Sequence, residues 1–451
     1  MTANNSRQLA LGTENVRKLL ISYALPSIIA MTATSLYNVV DSIFIGHGCG
    51  PLAIAGLAVT FPLMNLSAAF GAMVGIGAST VISVRLGQKD YESAQNALGN
   101  VVLLNVLIGF VFMVLALTFL DPILIFFGAS EQTLPYAREY MSVLLYGNIL
   151  THLYLGLNDT VRASGYPMRA MAATLTAVAI NIVFNYVFII VMEMGIKGAA
   201  IGTLCSQFVA FCIVIRHYRS KEAFLRFKRS VFKWRTKIVK SILGIGLAPF
   251  LLNFCACIVV LLINNGLKNH GGDYYVGAYG IANRVLFVFV MIVNGINQGM
   301  QPIVGYNYGA GQTDRSISAY KNAVFAASVV MIICWLACMI VPEHIVSLFT
   351  DDASLIEITS RAIRIAVSVF PFVGFQIIST GLFMSMGMAH KSIFLSTTRQ
   401  LLFLIPFLII LPNYFGTDGI WMSMPMSDAI SCIVVAVMVA LQMRKFKKQR
   451  Q

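Results

Sequence analysis

The residues best placed to do chemistry in this chain are polar side chains stranded in apolar surroundings. Asp41 follows an apolar run from Leu19 to Val40 and is itself followed by Ser42-Ile43-Phe44-Ile45. A carboxylate among lipid-spanning residues costs a few kcal/mol or more unless it finds a partner, which makes it a candidate for ion coupling or substrate contact. Asn181 and Asn185 stand four apart in another apolar run and therefore share one helix face. Thr203 lies in the next run. Carboxylate, amide and hydroxyl oxygens are hard ligands that suit a small alkali cation such as Na⁺, and they would equally hydrogen-bond a protonated Asp. The same residues also fit a plainer description, with the asparagines joining helices and Asp41 wetted near an outer interface. A second charge couple, Arg399 and Asp428, lies inside two further runs at similar depth and reads as a neutralising ion pair.

These side chains need a membrane scaffold. Of 451 residues 58% are hydrophobic and only 11% charged, with a mean hydropathy of +0.79. Soluble domains carry about a quarter charged residues, so a soluble fold is excluded. The formal charge of +14 reads as an orientation signal, not a nucleic-acid footprint. Most of the eight cysteines sit in apolar runs, as small core residues. About twelve spans are predicted, near 17–46, 52–85, 91–120, 133–158, 168–192, 197–216, 238–267, 274–306, 316–341, 354–388, 392–412 and 418–443. The first span reads as an uncleaved anchor. Cations concentrate in the even-numbered connections and at both ends, from Arg7 and Lys18 to Lys448 and Arg450. The positive-inside rule then puts both termini in the cytoplasm and calls for an even number of spans. Contact with anionic lipid headgroups accounts for the basic clusters.

The chain also repeats itself. Pro26 matches Pro249, Gly87-Gln88 matches Gly311-Gln312, Gly165 matches Gly387, and Gly195/Gly198 match Gly416/Gly419, all at offsets of about 220–225. Ordered matches of this kind mean duplication. The fold class is therefore all-α integral membrane, with two pseudo-symmetric six-helix bundles related by an axis along the membrane normal. The lobes are 1–216 and 241–451, joined by a basic cytoplasmic linker at 217–240. Spans two and eight are rich in glycine and contain Pro62 and Pro302, which suit close packing or kinks. At the repeat offset Asp41 falls opposite Asn264, so the charge belongs to the first half alone.

The run Leu36-Tyr37-Asn38-Val39-Val40-Asp41-Ser42-Ile43-Phe44-Ile45-Gly46 resembles the first-helix signature of the multidrug and toxic compound extrusion (MATE) transporters. The run from Gly295 to Ala310 is similar to the family's eighth-helix motif, and Arg85-Leu86-Gly87-Gln88 fits as well. The resemblance implies two six-helix lobes around a cleft and secondary active antiport. Drugs or organic cations would leave in exchange for Na⁺ or H⁺, with no other cofactor. It implies a cation or proton site at Asp41, Asn181, Asn185 and Thr203, of which Asn185 departs from the family's usual Asp and removes a charge. The other large subgroup carries acids in the seventh and eighth helices, whereas span seven here has Asn253, Asn264 and Asn265. A substrate cleft would include Tyr37, Asn38, Met64, Asn253, Met291 and Gln298. Expected surroundings are the cell inner (plasma) membrane and its lipids, with small-molecule substrates, no nucleic acid and a monomeric state. The alternative is a lipid-linked saccharide flippase of related fold, whose pyrophosphate would call for more intramembrane cations. The scattered histidines offer no metal spacing, so no enzyme is expected.

Overall fold

In a bilayer every backbone N–H and C=O must be satisfied within the protein, so long apolar runs fold as helices. The computed structural model describes residues 10–448, without the side chains of Asn38, Val39, Pro51, Arg229 and Asp273. Arg7 and Arg450, counted above in the terminal charge, lie outside the described residues. The first half runs α1 (Val16–Cys49), α2 (Pro51–Gly87), α3 (Tyr91–Thr118), α4 (Leu120–Phe126), α5 (Leu134–Tyr146), α6 (Asn148–Ala163), α7 (Pro167–Asn185) and α8 (Gly195–Arg219). The second runs α9 (Thr236–Gly271), α10 (Asp273–Gly309), α11 (Thr313–Ile340), α12 (Pro342–Ser347), α13 (Ala353–Ala366), α14 (Phe370–Ser385), α15 (Ala389–Thr397), α16 (Ile405–Ile410) and α17 (Pro412–Lys448). π-helical segments follow α7 (Tyr186–Val191) and α15 (Thr398–Leu404).

Ten described helices are long and apolar enough to cross a membrane, or eleven if α13 and α14, bent by 54°, form one span. This is fewer than the twelve expected. With α13 and α14 taken as the predicted span 354–388, the shortfall is the predicted span 133–158, which is built instead as α5 and α6 around Gly147. Both are shorter than a bilayer crossing, and Arg138, Glu139, Asp159 and Arg162 lower their apolar content.

The chain divides into two compact units. The first holds Ile29–Phe250 with Met1–Glu14 and Gly305–Gly311; the second holds Asn15–Ile28, Leu251–Val304 and Gln312–Gln451. Three helices, α1, α9 and α10, are shared between them. Each division falls within two residues after an intrahelical proline, Pro26, Pro249 or Pro302. Proline removes one backbone bond and loosens the helix there. The basic 217–240 segment lies inside the first unit and is strapped to α3. Arg226 N donates to Gln95 Oε1 at 3.0 Å, and Arg235 N donates to Asn100 Oδ1 at 3.1 Å. Asn100 Nδ2 donates in turn to Lys233 O at 3.2 Å.

Within the first unit, α2 and the start of α9 approach through paired glycines. A Cβ on Gly77 would lie 2.1 Å from Ile242 O, and one on Gly246 would lie 1.8 Å from Met73 O. Only glycine permits that approach. One apolar core of this unit gathers Ile45, Leu63, Leu124, Met141, Ile189 and Ala199, all buried. It holds α1, α5 and α8 in register around the polar residues of interest. In the second unit Ile263, Leu267, Leu408, Ile420 and Trp421 form the corresponding kind of cluster.

Candidate functional site

Asp41 is buried in α1, 5% exposed. Tyr37 precedes it by one helical turn and so shares its face. Asn181 and Asn185, both wholly buried, stack on the last turns of α7, and Thr203 faces them from α8. These residues form one continuous network. Asn185 Nδ2 donates to Asp41 Oδ1 at 2.7 Å and to Asn181 Oδ1 at 2.9 Å. Asn181 Nδ2 reaches Thr203 Oγ1 at 3.4 Å, and that hydroxyl shares a 2.8 Å hydrogen bond with Tyr37 OH. Tyr140, buried in α5, donates to Asp41 Oδ2 at 3.4 Å. Three helices, α1, α5 and α7, thus meet on one carboxylate, and α8 joins them through Thr203.

The four residues expected to couple an ion are therefore brought together. Tyr37, expected in a substrate cleft, is hydrogen-bonded into this same cluster. Tyr140 is an addition. A tyrosine in an amphipathic helix is normally an interfacial residue, and nothing in its spacing pairs it with Asp41.

Asn185 spends both of its bonds through Nδ2, while its Oδ1 is buried without a hydrogen-bond partner. That oxygen faces Gly202, where a Cβ would lie 2.8 Å away. The small residue makes room for the amide. With the amide placed this way, the site presents N–H to an ionised carboxylate, a charge-assisted arrangement. Turned over, the amide would present a carbonyl oxygen instead. Asp41, Asn181, Asn185 and Thr203 together then offer carboxylate, amide and hydroxyl oxygens, a donor set that fits Na⁺; a protonated Asp41 is held by the same groups.

The remaining expected residues are distributed otherwise. Met64 packs against the apolar core around Ile45 and takes a 3.6 Å contact from Thr60 Oγ1. The side chain of Asn38 lies outside the described residues. Asn253, Met291 and Gln298 belong to the second unit, with Asn253 exposed and the other two half-buried. In that unit Arg399 Nε meets Asp428 Oδ1 at 2.5 Å, and Asp428 is 3% exposed. Arg399 lies in the π-helical segment 398–404, and its carbonyl accepts from Ser427 Oγ at 2.6 Å.

Comparison with known proteins agrees with this architecture. The MatE family model matches twice, over residues 26–187 and 249–410, the second copy beginning 223 positions after the first. That spacing is the repeat offset set by Pro26 and Pro249. The chain is 25% identical to the multidrug export protein MepA of Staphylococcus haemolyticus over 430 residues, covering 95% of this chain and 94% of that protein. It is 24% identical to MepA of Staphylococcus aureus over 429 residues, with the same coverage. Among solved structures it resembles the outward-facing conformation of a multidrug resistance MATE family transporter of the MOP superfamily. The TM-score there is 0.90 at 25% identity, over 97% of this chain and 98% of the other. A MATE structure in the bent conformation shares the fold with a TM-score of 0.92 at 24% identity, over 98% of each chain. A duplicated helical scaffold, a buried carboxylate cluster in its first half and a family match across both halves lead to one assignment: this chain belongs to the MATE family of efflux transporters.

Proposed function

We propose that the protein is a secondary active antiporter that exports drugs or organic cations in exchange for Na⁺ or H⁺ by alternating access. The observation that carries this reading is the Asp41 network, a buried carboxylate tied to α5, α7 and α8 through amide and hydroxyl donors. Arrival of a coupling cation changes what those donors must do. A proton on Asp41 adds an O–H donor and removes the charge that strengthens the bond from Asn185 Nδ2. Na⁺ would require the Asn185 amide to present its oxygen. Either event alters the tie between α1 and its neighbours and so favours one arrangement of the first unit over another. Only a ligand with different affinity for two states can shift their populations. With Asn at position 185, the charge change rests on Asp41.

The multidrug export function in the names of the staphylococcal relatives supports drug-like substrates. A lipid-linked saccharide flippase is less favoured, because intramembrane cations are few and Arg399 is already committed to Asp428. We read the setting as the plasma membrane with cytoplasmic termini, and the working unit as a monomer. Proteoliposomes loaded with a fluorescent organic cation test the proposal. Uptake or release should follow an imposed Na⁺ or pH gradient and identify the coupling ion. Flux that ignores both gradients would defeat it.

A further inference from the structure

A second polar site lies where α6 and α8 end and α7 begins. There a cavity of about 490 Å³ opens, bounded by the start of the 220–235 strap. One half of its lining is apolar: Val161, Ala172, Ile213 and Val214. The other half carries Arg169, Arg216 and Lys221 against one carboxylate, Glu222, so that its charge is net positive.

This rim is built. Arg169 donates to His217 Nδ1 at 2.9 Å and pairs with the Glu222 carboxylate. Its guanidinium stands 5.2 Å over the Tyr166 ring, whose hydroxyl donates to Glu222 O at 2.6 Å. His217 is buried and meets Tyr166 edge-on, with ring centroids 4.6 Å apart. Glu222 thus braces Arg169, while Arg216 and Lys221 reach the exposed side of the opening.

The groove sits at the last turn of α8, an apolar helix long enough to cross a membrane. That is the level at which headgroups lie. A cavity half apolar and half cationic at this level matches an amphiphile with an anionic head. A free phosphate would use the cations but leave the apolar half empty. We propose that this groove seats an anionic phospholipid. Its phosphate meets Arg216 and Lys221, and its glycerol and first acyl carbons lie along Ala172 and Ile213.

The test uses the full-length protein in neutral detergent, with phosphatidylglycerol, phosphatidylcholine and inorganic phosphate as probes. Thermal unfolding against probe concentration gives an apparent affinity, and native mass spectrometry counts retained lipid. Phosphatidylglycerol should bind saturably and phosphatidylcholine should not. Each surface cation contributes about fivefold, so Arg216→Gln/Lys221→Gln should weaken binding by roughly 25-fold. Ala172→Trp fills the groove without changing charge and should also remove the bound lipid. Lys237→Gln/Lys240→Gln, exposed cations outside the groove, should leave the affinity within about twofold. Equal binding of both lipids would overturn the proposal, as would an equal loss in the Lys237/Lys240 variant or full retention in Ala172→Trp. Competition by inorganic phosphate as effective as the lipid itself would overturn the lipid as its source.

Discussion

If Asp41 and Asn185 are coupled as the geometry shows, replacing one must change the cost of replacing the other. Asn185→Leu keeps the side-chain shape and removes both donated bonds. A hydrogen bond to a charged acceptor contributes about 1.5–3 kcal/mol, and the 2.7 Å bond to Asp41 is of that kind. The neutral bond to Asn181 contributes about 1 kcal/mol. Against these stands the buried, unpartnered Asn185 Oδ1, whose removal returns about 1 kcal/mol or more. The net loss is then about 1.5–3 kcal/mol, because Asp41 keeps only the longer bond from Tyr140. In an Asp41→Ala background the charged term disappears, and Asn185→Leu should cost about 1 kcal/mol or less. The coupling energy from the double-mutant cycle is therefore about 1.5–3 kcal/mol. Reversible denaturation of purified protein in micelles at neutral pH measures it. Costs that add to within about 0.5 kcal/mol would mean that Asn185 only joins helices and does not hold the carboxylate.

Gly202→Ala places a Cβ 2.8 Å from Asn185 Oδ1, so the amide must withdraw by about 0.5 Å to reach ordinary contact; gradient-driven transport should fall severalfold, and wild-type rates would show that the amide position is unimportant. Arg399→Leu strands Asp428 at 3% exposure and should destabilise the protein by about 3–5 kcal/mol. Arg399→Leu/Asp428→Leu should recover most of that loss in the same denaturation assay, whereas an equal loss in both variants would point to packing and not to charge. Tyr140→Phe removes one weak donor to Asp41 and should cost about 0.5–1.5 kcal/mol, less than Asn185→Leu in a direct comparison of unfolding midpoints.

Much of the site is legible in the chain because polar residues are conspicuous in apolar helices. Asp41, Asn181, Asn185 and Thr203 stand out by type, and the four-residue spacing of the asparagines already puts them on one face. The repeat is equally legible, since Pro26 and Pro249 give the same offset as the two family matches. Other features depend on contacts that no periodicity encodes. Tyr140 lies in the stretch read as the single span 133–158, and an aromatic residue there carries no sign of the partner it faces, so its approach to Asp41 could not be read. Gly202 looks like any small residue of a packed helix until the Asn185 amide is placed against it. The π-helical turns at 186–191 and 398–404 carry no mark in the sequence. The basic 217–240 segment reads as a loose linker, yet Gln95 and Asn100 of α3 bind its backbone and hold it to the first unit.

The most direct test of the central claim is Asp41→Asn in proteoliposomes, alongside an unfolding curve in detergent. Asn keeps the size of the side chain and can still bond Asn185, but it can neither carry charge nor take up a proton near neutral pH. The account predicts a folded protein whose drug transport no longer responds to an imposed Na⁺ or H⁺ gradient. Undiminished gradient-driven transport by Asp41→Asn would contradict it and move the coupling step to another residue.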